Sequence, residues 1–199
     1  LDNSYYQARQ IRAGAEYDES SWQLWMQEAA ATAVPGAAEF LQAASRAGHR
    51  VFYITNRACA PLPSIDDPCP AKTATRKNLQ RLGLPDADDP DALMLRGSHP
   101  EWRSSDKTSR RAWVASRYRV IALFGDDLND FMPRADYAKR RTEFADFFGR
   151  RWFLLPNPIY GSWERALLGG ICTPAMTTAQ CATATTERRY GLLETEGQP

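Results

Sequence analysis

The chain has 199 residues, of which 43% are hydrophobic and 25% are charged, and its formal net charge is +1 at pH 7. This balance is typical of one globular domain with a sizeable core. The small net charge gives no support to a nucleic-acid polymer or a membrane surface as a partner. No apolar run approaches the roughly 20 residues that a membrane-spanning helix needs.

The four cysteines form two locally spaced pairs. Cys59 and Cys69 flank a proline-rich acidic loop, and Cys172 and Cys181 flank a second loop. Pairs at such short spacing favour two disulfides and an oxidising compartment. Four free thiols in a cytosolic protein are the alternative. A zinc site is disfavoured, because the sequence has no CxxC motif and only 2 histidines.

The first predicted elements are two helices and a strand. Apolar residues recur at helical spacing over residues 20–32, which predicts an amphipathic helix. Pro35 opens a second predicted helix, and Gly48 ends it. The apolar run over residues 51–54 then predicts a short buried strand.

The same alternation continues along the chain and defines the fold class. Further helices are predicted over residues 71–82, 107–117 and 134–148, and further strands over residues 92–95, 120–124 and 152–155. This order predicts an α/β fold, with a parallel sheet covered by helices on both faces. We expect one domain, with a core over residues 1–171 and a polar C-terminal extension over residues 172–199 that is frayed at its end.

Two polar motifs occur where a parallel sheet binds ligands, beyond the carboxyl ends of its strands. Thr55, Asn56 and Arg57 follow the first predicted strand, where their donors could hold phosphate oxygens. A capped turn is an equally ordinary use of Thr and Asn. Lys107 stands at a predicted helix start, where it could neutralise a phosphate or simply face solvent.

A cluster of carboxylates follows the most apolar predicted strand. Asp126, Asp127 and Asp130 lie within five residues of each other, in the segment GDDLNDF. Buried carboxylates need a partner, and a hard divalent cation with oxygen ligands is a natural one. An acidic helix start, favoured by the helix dipole, is the alternative. The apolar strand that precedes the cluster favours the metal interpretation.

In this order, Thr55, Lys107 and the GDDLND segment resemble the haloacid dehalogenase (HAD) superfamily. The segments LDNSYYQAR, FYITNR, DKTSRR, FGDDLNDF and LPNPIYGSWERAL resemble the class C nonspecific acid phosphatases of HAD subfamily IIIB, also described as outer-membrane lipoprotein nucleotidases. The resemblance extends from Leu1 to about Leu168. It implies a three-layer Rossmann-like (HAD-like) parallel sheet with a small helical cap formed by the N-terminal region.

The resemblance also implies residue roles. Thr55 would bind the transferring phosphoryl group, with Asn56 and Arg57 as further substrate-binding residues, and Lys107 would stabilise the charge. Asp126 would bind Mg²⁺, and Asp130 would bind it directly or through water. The rings of Tyr5, Tyr6 and Tyr160 would lie at the pocket mouth and stack on a nucleobase or aryl group. Simple packing is the alternative for these rings.

The family's nucleophile is the first aspartate of a DxDxT motif, and the second aspartate is the general acid and base. In relatives this motif directly precedes the segment that matches LDNS. We therefore expect the nucleophile upstream of Leu1, on a central strand between those that end near Thr55 and Phe124. The 199 residues alone are expected to be inactive.

The implied function is Mg²⁺-dependent hydrolysis of small phosphomonoesters, such as nucleotides or aryl phosphates, through a phosphoaspartate. The implied location is periplasmic, outer-membrane-anchored or secreted. Two alternatives stay open. One is a non-catalytic binding or storage protein with the same fold, and the other is a cytosolic phosphatase with reduced thiols.

Overall fold

The computed structural model describes residues 1–63, 65–133, 136, 139–140, 142–157, 161 and 171–195. Its helices are α1 (Ser4–Arg12), α2 (Glu19–Gln27), α3 (Ala37–Arg46), α4 (Pro70–Arg81), α5 (Thr108–Ala115) and α6 (Thr178–Thr195). Its strands are β1 (Tyr53–Ala58), β2 (Leu93–Arg96), β3 (Leu123–Gly125) and β4 (Trp152–Leu154). Short 3₁₀ helices lie at Pro100–Trp102, Leu128–Asp130 and Ala145–Phe147.

The strands form two parallel pairs. β1 pairs with β2, and β3 pairs with β4. Within the described part of the chain, no strand pairing joins one sheet to the other. We call β1, β2 and the helices α2 and α4 the β1–β2 half, and β3, β4 and the loops that follow β3 the β3–β4 half. The parallel α/β order predicted from the sequence is present in both.

The main hydrophobic core lies in the β1–β2 half. Leu93 and Leu95 of β2 are fully buried against Leu79 of α4. Tyr6 of α1 and Trp25 of α2 belong to the same buried cluster. The predicted helical cap therefore packs directly against this half of the fold.

Local sequence signals explain how α4 begins and ends. Pro70 occupies the first turn, where a missing backbone N–H has no cost. Gly83 follows the helix with a φ of +63°, a left-handed conformation that glycine adopts without strain. A disulfide between Cys59 and Cys69 joins the residue after β1 to the residue before α4. The cross-link thus fixes the position of α4 relative to the end of β1.

Two predicted strands have different bounds in the structure. β1 starts at Tyr53 and reaches Ala58, so Thr55 and Arg57 lie in the strand and its bulge and not after it. The pairing of Ala58 with Arg96 extends the strand past the polar residues. β3 covers only Leu123–Gly125, because its partner β4 is itself only 3 residues long.

The predicted C-terminal extension contains a helix that the sequence analysis did not assign. Residues 178–195 form α6. Thr177 and Gln180 cap the helix reciprocally: the Gln180 N–H donates to Thr177 Oγ1 at 3.3 Å, and the Thr177 N–H donates to Gln180 Oε1 at 2.8 Å. The predicted disulfide between Cys172 and Cys181 is present, and with Cys59–Cys69 it leaves no free cysteine in the chain.

The helix predicted over residues 134–148 lies partly outside the described residues. Residues 136 and 139–140 are helical, residues 142–144 form a turn, and Ala145–Phe147 is a 3₁₀ helix. The described part is therefore less regular than a single helix.

Candidate functional site

The acidic loop after β3 folds back on itself around one carboxylate. Asp130 Oδ2 accepts hydrogen bonds from the backbone N–H groups of Asp126 and Asp127, each at 3.1 Å. Asp127 caps the following 3₁₀ turn by accepting from the Asn129 N–H at 2.9 Å. Gly125 makes this fold possible, because a Cβ at that position would collide with the Asp130 side chain.

Lys107 neutralises part of this acidic loop. It stands at the N-terminal cap of α5, and its Nζ forms an ion pair with Asp130 Oδ1. The two side chains are only 16% and 11% exposed. Such a pair is screened less by salt than a surface pair. The predicted lysine and one predicted metal ligand are therefore in direct contact.

Asp126 has a contact that sequence reasoning missed. Asn157 Nδ2 donates to Asp126 Oδ2 at 2.6 Å. Asn157 belongs to the LPNPIYG segment, which supported the resemblance but was given no role. A side-chain amide that donates to one carboxylate oxygen orients the other, as outer-shell partners of metal ligands do.

The second part of the site is the end of β1. Thr55 Oγ1 accepts from the Arg57 N–H at 3.2 Å, while the Asn56 side chain is exposed. Arg110 of α5 reaches both residues, because its Nη1 donates to the Thr55 carbonyl at 2.5 Å and its Nη2 donates to Asn56 Oδ1 at 2.7 Å. Helix α5 thus links the end of β1 to the loop that follows β3.

Arg57 is turned toward the N-terminal helices. Its guanidinium donates to Thr75 Oγ1 at 2.9 Å and to Asn3 Oδ1 at 3.1 Å. It also lies over the rings of Trp22 and Trp25. These contacts are those of a buried anchor between β1 and the helical cap. The predicted substrate-binding role of Arg57 stays a prediction.

The three predicted aromatic residues differ in their surroundings. Tyr6 is 2% exposed and its hydroxyl lies 2.9 Å from Ser21 Oγ, which favours the packing alternative for this ring. Tyr5 is 69% exposed, with the Arg9 guanidinium 5.9 Å from its ring centre. Tyr160 lies outside the described residues.

Two arginines of the DKTSRR segment were also missed by sequence reasoning. Arg110 is 0% exposed, and desolvation by this burial lowers the pKa of its guanidinium to about 10. Arg111 Nη1 donates to the carbonyls of Asn129 and Asp130, each at 3.0 Å. Burial also lowers the pKa of Arg111. The only sequence signal was two arginines close to Lys107, and it does not distinguish a buried guanidinium from an exposed one.

The available ligands fit a hard cation. Asp126 and Asp130 offer oxygen donors only, on one short loop. Among the described residues, no three His, Cys, Asp or Glu side chains converge as a metal-binding group. Mg²⁺ uses one or two carboxylates and completes its shell with water and phosphate, so this sparse set is compatible with it. The set lacks the nitrogen and sulfur ligands that structural zinc needs.

Within the described part of the chain, none of the helices combines the length and the apolar character that crossing a lipid bilayer requires.

Residues 1–163 match the family model for HAD superfamily, subfamily IIIB (acid phosphatase). The chain belongs to this family. The match covers both parts of the site, the end of β1 and the loop after β3. It confirms the resemblance seen in the sequence.

Solved structures with a similar fold are class C acid phosphatases. The class C acid phosphatase from Bacillus anthracis superimposes with a TM-score of 0.73 at 30% sequence identity, over 94% of this chain and 73% of that chain. The same enzyme with tungstate bound gives a TM-score of 0.74 at 30% identity. These matches confirm the HAD-like α/β fold.

A curated relative is acid phosphatase 1 from Solanum lycopersicum, which is 26% identical over 153 residues. The alignment covers 75% of this chain and 50% of the relative. The chain therefore spans about half the length of that relative.

Proposed function

We propose that this chain forms most of the catalytic domain of a Mg²⁺-dependent acid phosphatase that hydrolyses small phosphomonoesters, such as nucleotides or aryl phosphates. One observation carries the proposal. Lys107 contacts Asp130 beside Asp126, and the same helix reaches the end of β1 at Thr55 through Arg110. These contacts support the proposal that the Thr55 hydroxyl, Lys107 and the two carboxylates serve one site at the ligand-binding edge of parallel strands.

Each residue has a defined part in this proposal. Thr55 donates a hydrogen bond to the phosphoryl group, and Lys107 offsets its negative charge. Asp126 would hold Mg²⁺, and Asp130, whose oxygens already accept from Lys107 and two backbone N–H groups, would hold it directly or through water; the ion would polarise the phosphoryl oxygens. Asn157 keeps Asp126 in the orientation that leaves its second oxygen for the metal. The domain comprises a core over residues 1–171 and an extension over residues 172–199.

The nucleophile would come from a strand between β1 and β3. The described strands leave these two sheets unjoined, and the apolar side chains of Ile121 and Phe124 in and before β3 are exposed. A strand that paired with both inner edges would satisfy their backbone groups and cover these side chains. An aspartate at its carboxyl end would then face Thr55 and Lys107.

The two disulfides support a location outside the reducing cytosol. We propose a periplasmic, outer-membrane-anchored or secreted protein. Small phosphomonoesters are the proposed substrates, in preference to nucleic-acid polymers, because the net charge of +1 provides no large basic surface.

An activity assay tests the proposal. Release of phosphate from a nucleoside monophosphate and from p-nitrophenyl phosphate is measured at acidic pH, with Mg²⁺ or with a chelator. The 199-residue chain is compared with a chain extended upstream through the expected DxDxT motif. We expect Mg²⁺-dependent turnover by the extended chain and none by the shorter one.

Substitutions in the extended chain connect turnover to the site. Lys107→Ala and Asp126→Asn should each lower turnover by about 100-fold or more. The matched control is Asp146→Asn, an exposed carboxylate outside the site, which should leave turnover unchanged. Full turnover after Asp126→Asn would contradict the proposal. Mg²⁺-dependent turnover by the 199-residue chain would contradict the placement of the nucleophile, and inactivity of both chains would favour the binding-protein alternative.

A further inference from the structure

The two halves of the candidate site meet at the first turns of α5. Strand pairing joins neither sheet to the other within the described residues. The side chains that bridge the two parts instead come from the segment that starts α5. Lys107 reaches the acidic loop, and two consecutive arginines, Arg110 and Arg111, reach different loops.

Arg110 is a buried cation with neutral partners. Its donors reach the carbonyls of Thr55, Ser104 and Asp106 and the side-chain oxygen of Asn56. Within the described residues no carboxylate lies in ion-pair contact with it, although the Asp106 and Asp130 charges favour its protonated form, and its Nε has no hydrogen-bond acceptor. Burial of this charge carries a desolvation cost that the hydrogen bonds to the carbonyls offset. The charged guanidinium therefore contacts the backbone of Thr55 directly.

Arg111 makes the corresponding contacts on the other side. Its Nη1 donates to the carbonyls of Asn129 and Asp130, and its Nη2 donates to Thr108 Oγ1. Adjacent residues of a helix point in different directions, so two consecutive arginines can hold two separate loops. Arg111 thus contacts the backbone of the acidic loop, while Lys107 binds the Asp130 carboxylate of the same loop.

We propose that Arg110 and Arg111 are positioning residues that hold the two halves of the phosphoryl site in register. Arg110 sets the position of the Thr55 backbone, and Arg111 sets the position of the Asp130 backbone. The inference rests on the proposed phosphatase function. Each residue is expected to affect the binding of a different ligand. Arg110 controls the affinity of the site for phosphate, and Arg111 controls its affinity for the metal.

The fork of the guanidinium is what both positions require. Arg110 bonds the Thr55 carbonyl and the Asn56 side chain with different nitrogens, and Arg111 bonds two successive carbonyls. A lysine retains the charge but has a single nitrogen on a flexible stem, so it cannot hold two acceptors in a fixed geometry. Substitution of either arginine by lysine therefore keeps the positive charge and removes the ability to position two acceptors.

The test measures two ligands in the upstream-extended protein. Binding of inorganic phosphate at saturating Mg²⁺, and of Mg²⁺ alone, is measured by calorimetry. Arg110→Lys should weaken phosphate binding about tenfold and change Mg²⁺ binding less than about twofold. Arg111→Lys should show the opposite pattern. A purely structural defect would weaken both ligands together.

Matched controls keep the test interpretable. Arg117 follows the same helix, and its exposed side chain donates to the Trp113 carbonyl. Arg117→Lys should change neither the phosphate affinity nor the Mg²⁺ affinity. If Arg110→Lys does not fold, Arg111→Lys still tests the inference, because it should weaken Mg²⁺ binding and leave phosphate binding at saturating Mg²⁺ unchanged.

The outcomes separate this inference from the proposed function. If the unsubstituted protein binds neither phosphate nor Mg²⁺, both are wrong. If it binds both ligands and the lysine variants bind them normally, the positioning inference is overturned and the proposed function stands. Equal loss of both ligands in each variant also overturns it.

Discussion

The two halves of this fold are stabilised by different interactions. In the β1–β2 half, fully buried apolar side chains of β2 pack against α4 and α2. In the β3–β4 half, Phe124 and Leu154 are substantially exposed, buried Phe131 packs on Trp152, and the loop after β3 is organised by hydrogen bonds around Asp130. Apolar burial contributes most of the free energy of folding in a domain. The first half therefore contains the larger apolar core among the described residues, and the second carries the acidic loop.

This comparison predicts that the same truncation destabilises the two halves by different amounts, and it is the largest effect we expect. Leu95 of β2 is 0% exposed, whereas Leu154 of β4 is 51% exposed. Leu95→Ala should lower the free energy of unfolding by about 3 kcal/mol, because it leaves a cavity in the main core. Leu154→Ala should lower it by less than about 1 kcal/mol. Urea unfolding followed by circular dichroism measures both.

Equal losses of unfolding free energy in Leu95→Ala and Leu154→Ala would contradict the proposed difference between the two halves. Retained secondary structure in Leu95→Ala would show that the difference comes from packing and not from misfolding. The two variants remove the same three carbons, so the unfolded chain changes equally in each.

A larger residue at Gly125 tests how much the hydrogen-bonded loop around Asp130 contributes to stability, because it introduces a steric clash and no cavity. An added methyl group at Gly125 would meet the Asp130 side chain. Gly125→Ala should therefore lower the free energy of unfolding by about 1–3 kcal/mol, because the loop must shift to relieve the overlap. Urea unfolding measures the change.

Gly191→Ala is the matched control for that substitution. Gly191 lies in α6, where an added Cβ would meet no described atom within 4 Å apart from its chain neighbours and the adjacent turns of the helix backbone. It should leave stability unchanged or raise it by about 0.5–1 kcal/mol, because alanine is the better helix former. A destabilisation as large as that of Gly125→Ala would show that the effect is not specific to the loop.

The accuracy of the sequence predictions differs between elements in both halves, because β4 lies within one residue of its predicted bounds and β1 does not. The helix predicted over residues 71–82 and the strand over residues 92–95 match α4 and β2 closely, at Pro70–Arg81 and Leu93–Arg96. Their signals are local: a proline, a glycine and a continuous apolar run. The bounds of β3 depend on the length of its partner β4, which is distant in sequence. Periodicity within one segment does not contain that information.

The candidate site shows the same limit. The strand-end rule located Lys107 and the acidic loop, and the structure brings Lys107 and Asp130 into contact. The rule did not find Arg110, Arg111 or Asn157, because these residues act through tertiary contacts. The capping box of α6 pairs Thr177 with Gln180, and the sequence analysis assigned no helix to that polar segment.

The smallest effect that we expect tests whether an ionised side chain contributes to the stability of the β1–β2 half. Asp67 lies in the Cys59–Cys69 loop, where hydrogen bonds from the Thr73 hydroxyl and the Cys69 N–H lower the pKa of its carboxyl group. A lowered pKa in the folded state means that the ionised group stabilises the fold above its unfolded pKa of about 3.9, and that this contribution is lost as pH falls through the folded pKa. The stability difference between the unsubstituted protein and Asp67→Asn should therefore be constant near neutral pH and shrink below pH about 4.

Asp66→Asn separates this contribution from net charge, because it removes one negative charge at the neighbouring position. Urea midpoints at several pH values between about 3 and 7 compare the two variants. A difference for Asp67→Asn that persists undiminished at the lowest pH would mean that the amide disrupts the loop for steric reasons. An identical pH dependence in Asp66→Asn would mean that overall charge, and not the bonds from Thr73 and Cys69, is responsible. In either case the pH dependence would give no support to a stabilising role for the hydrogen bonds that the ionised Asp67 carboxylate accepts.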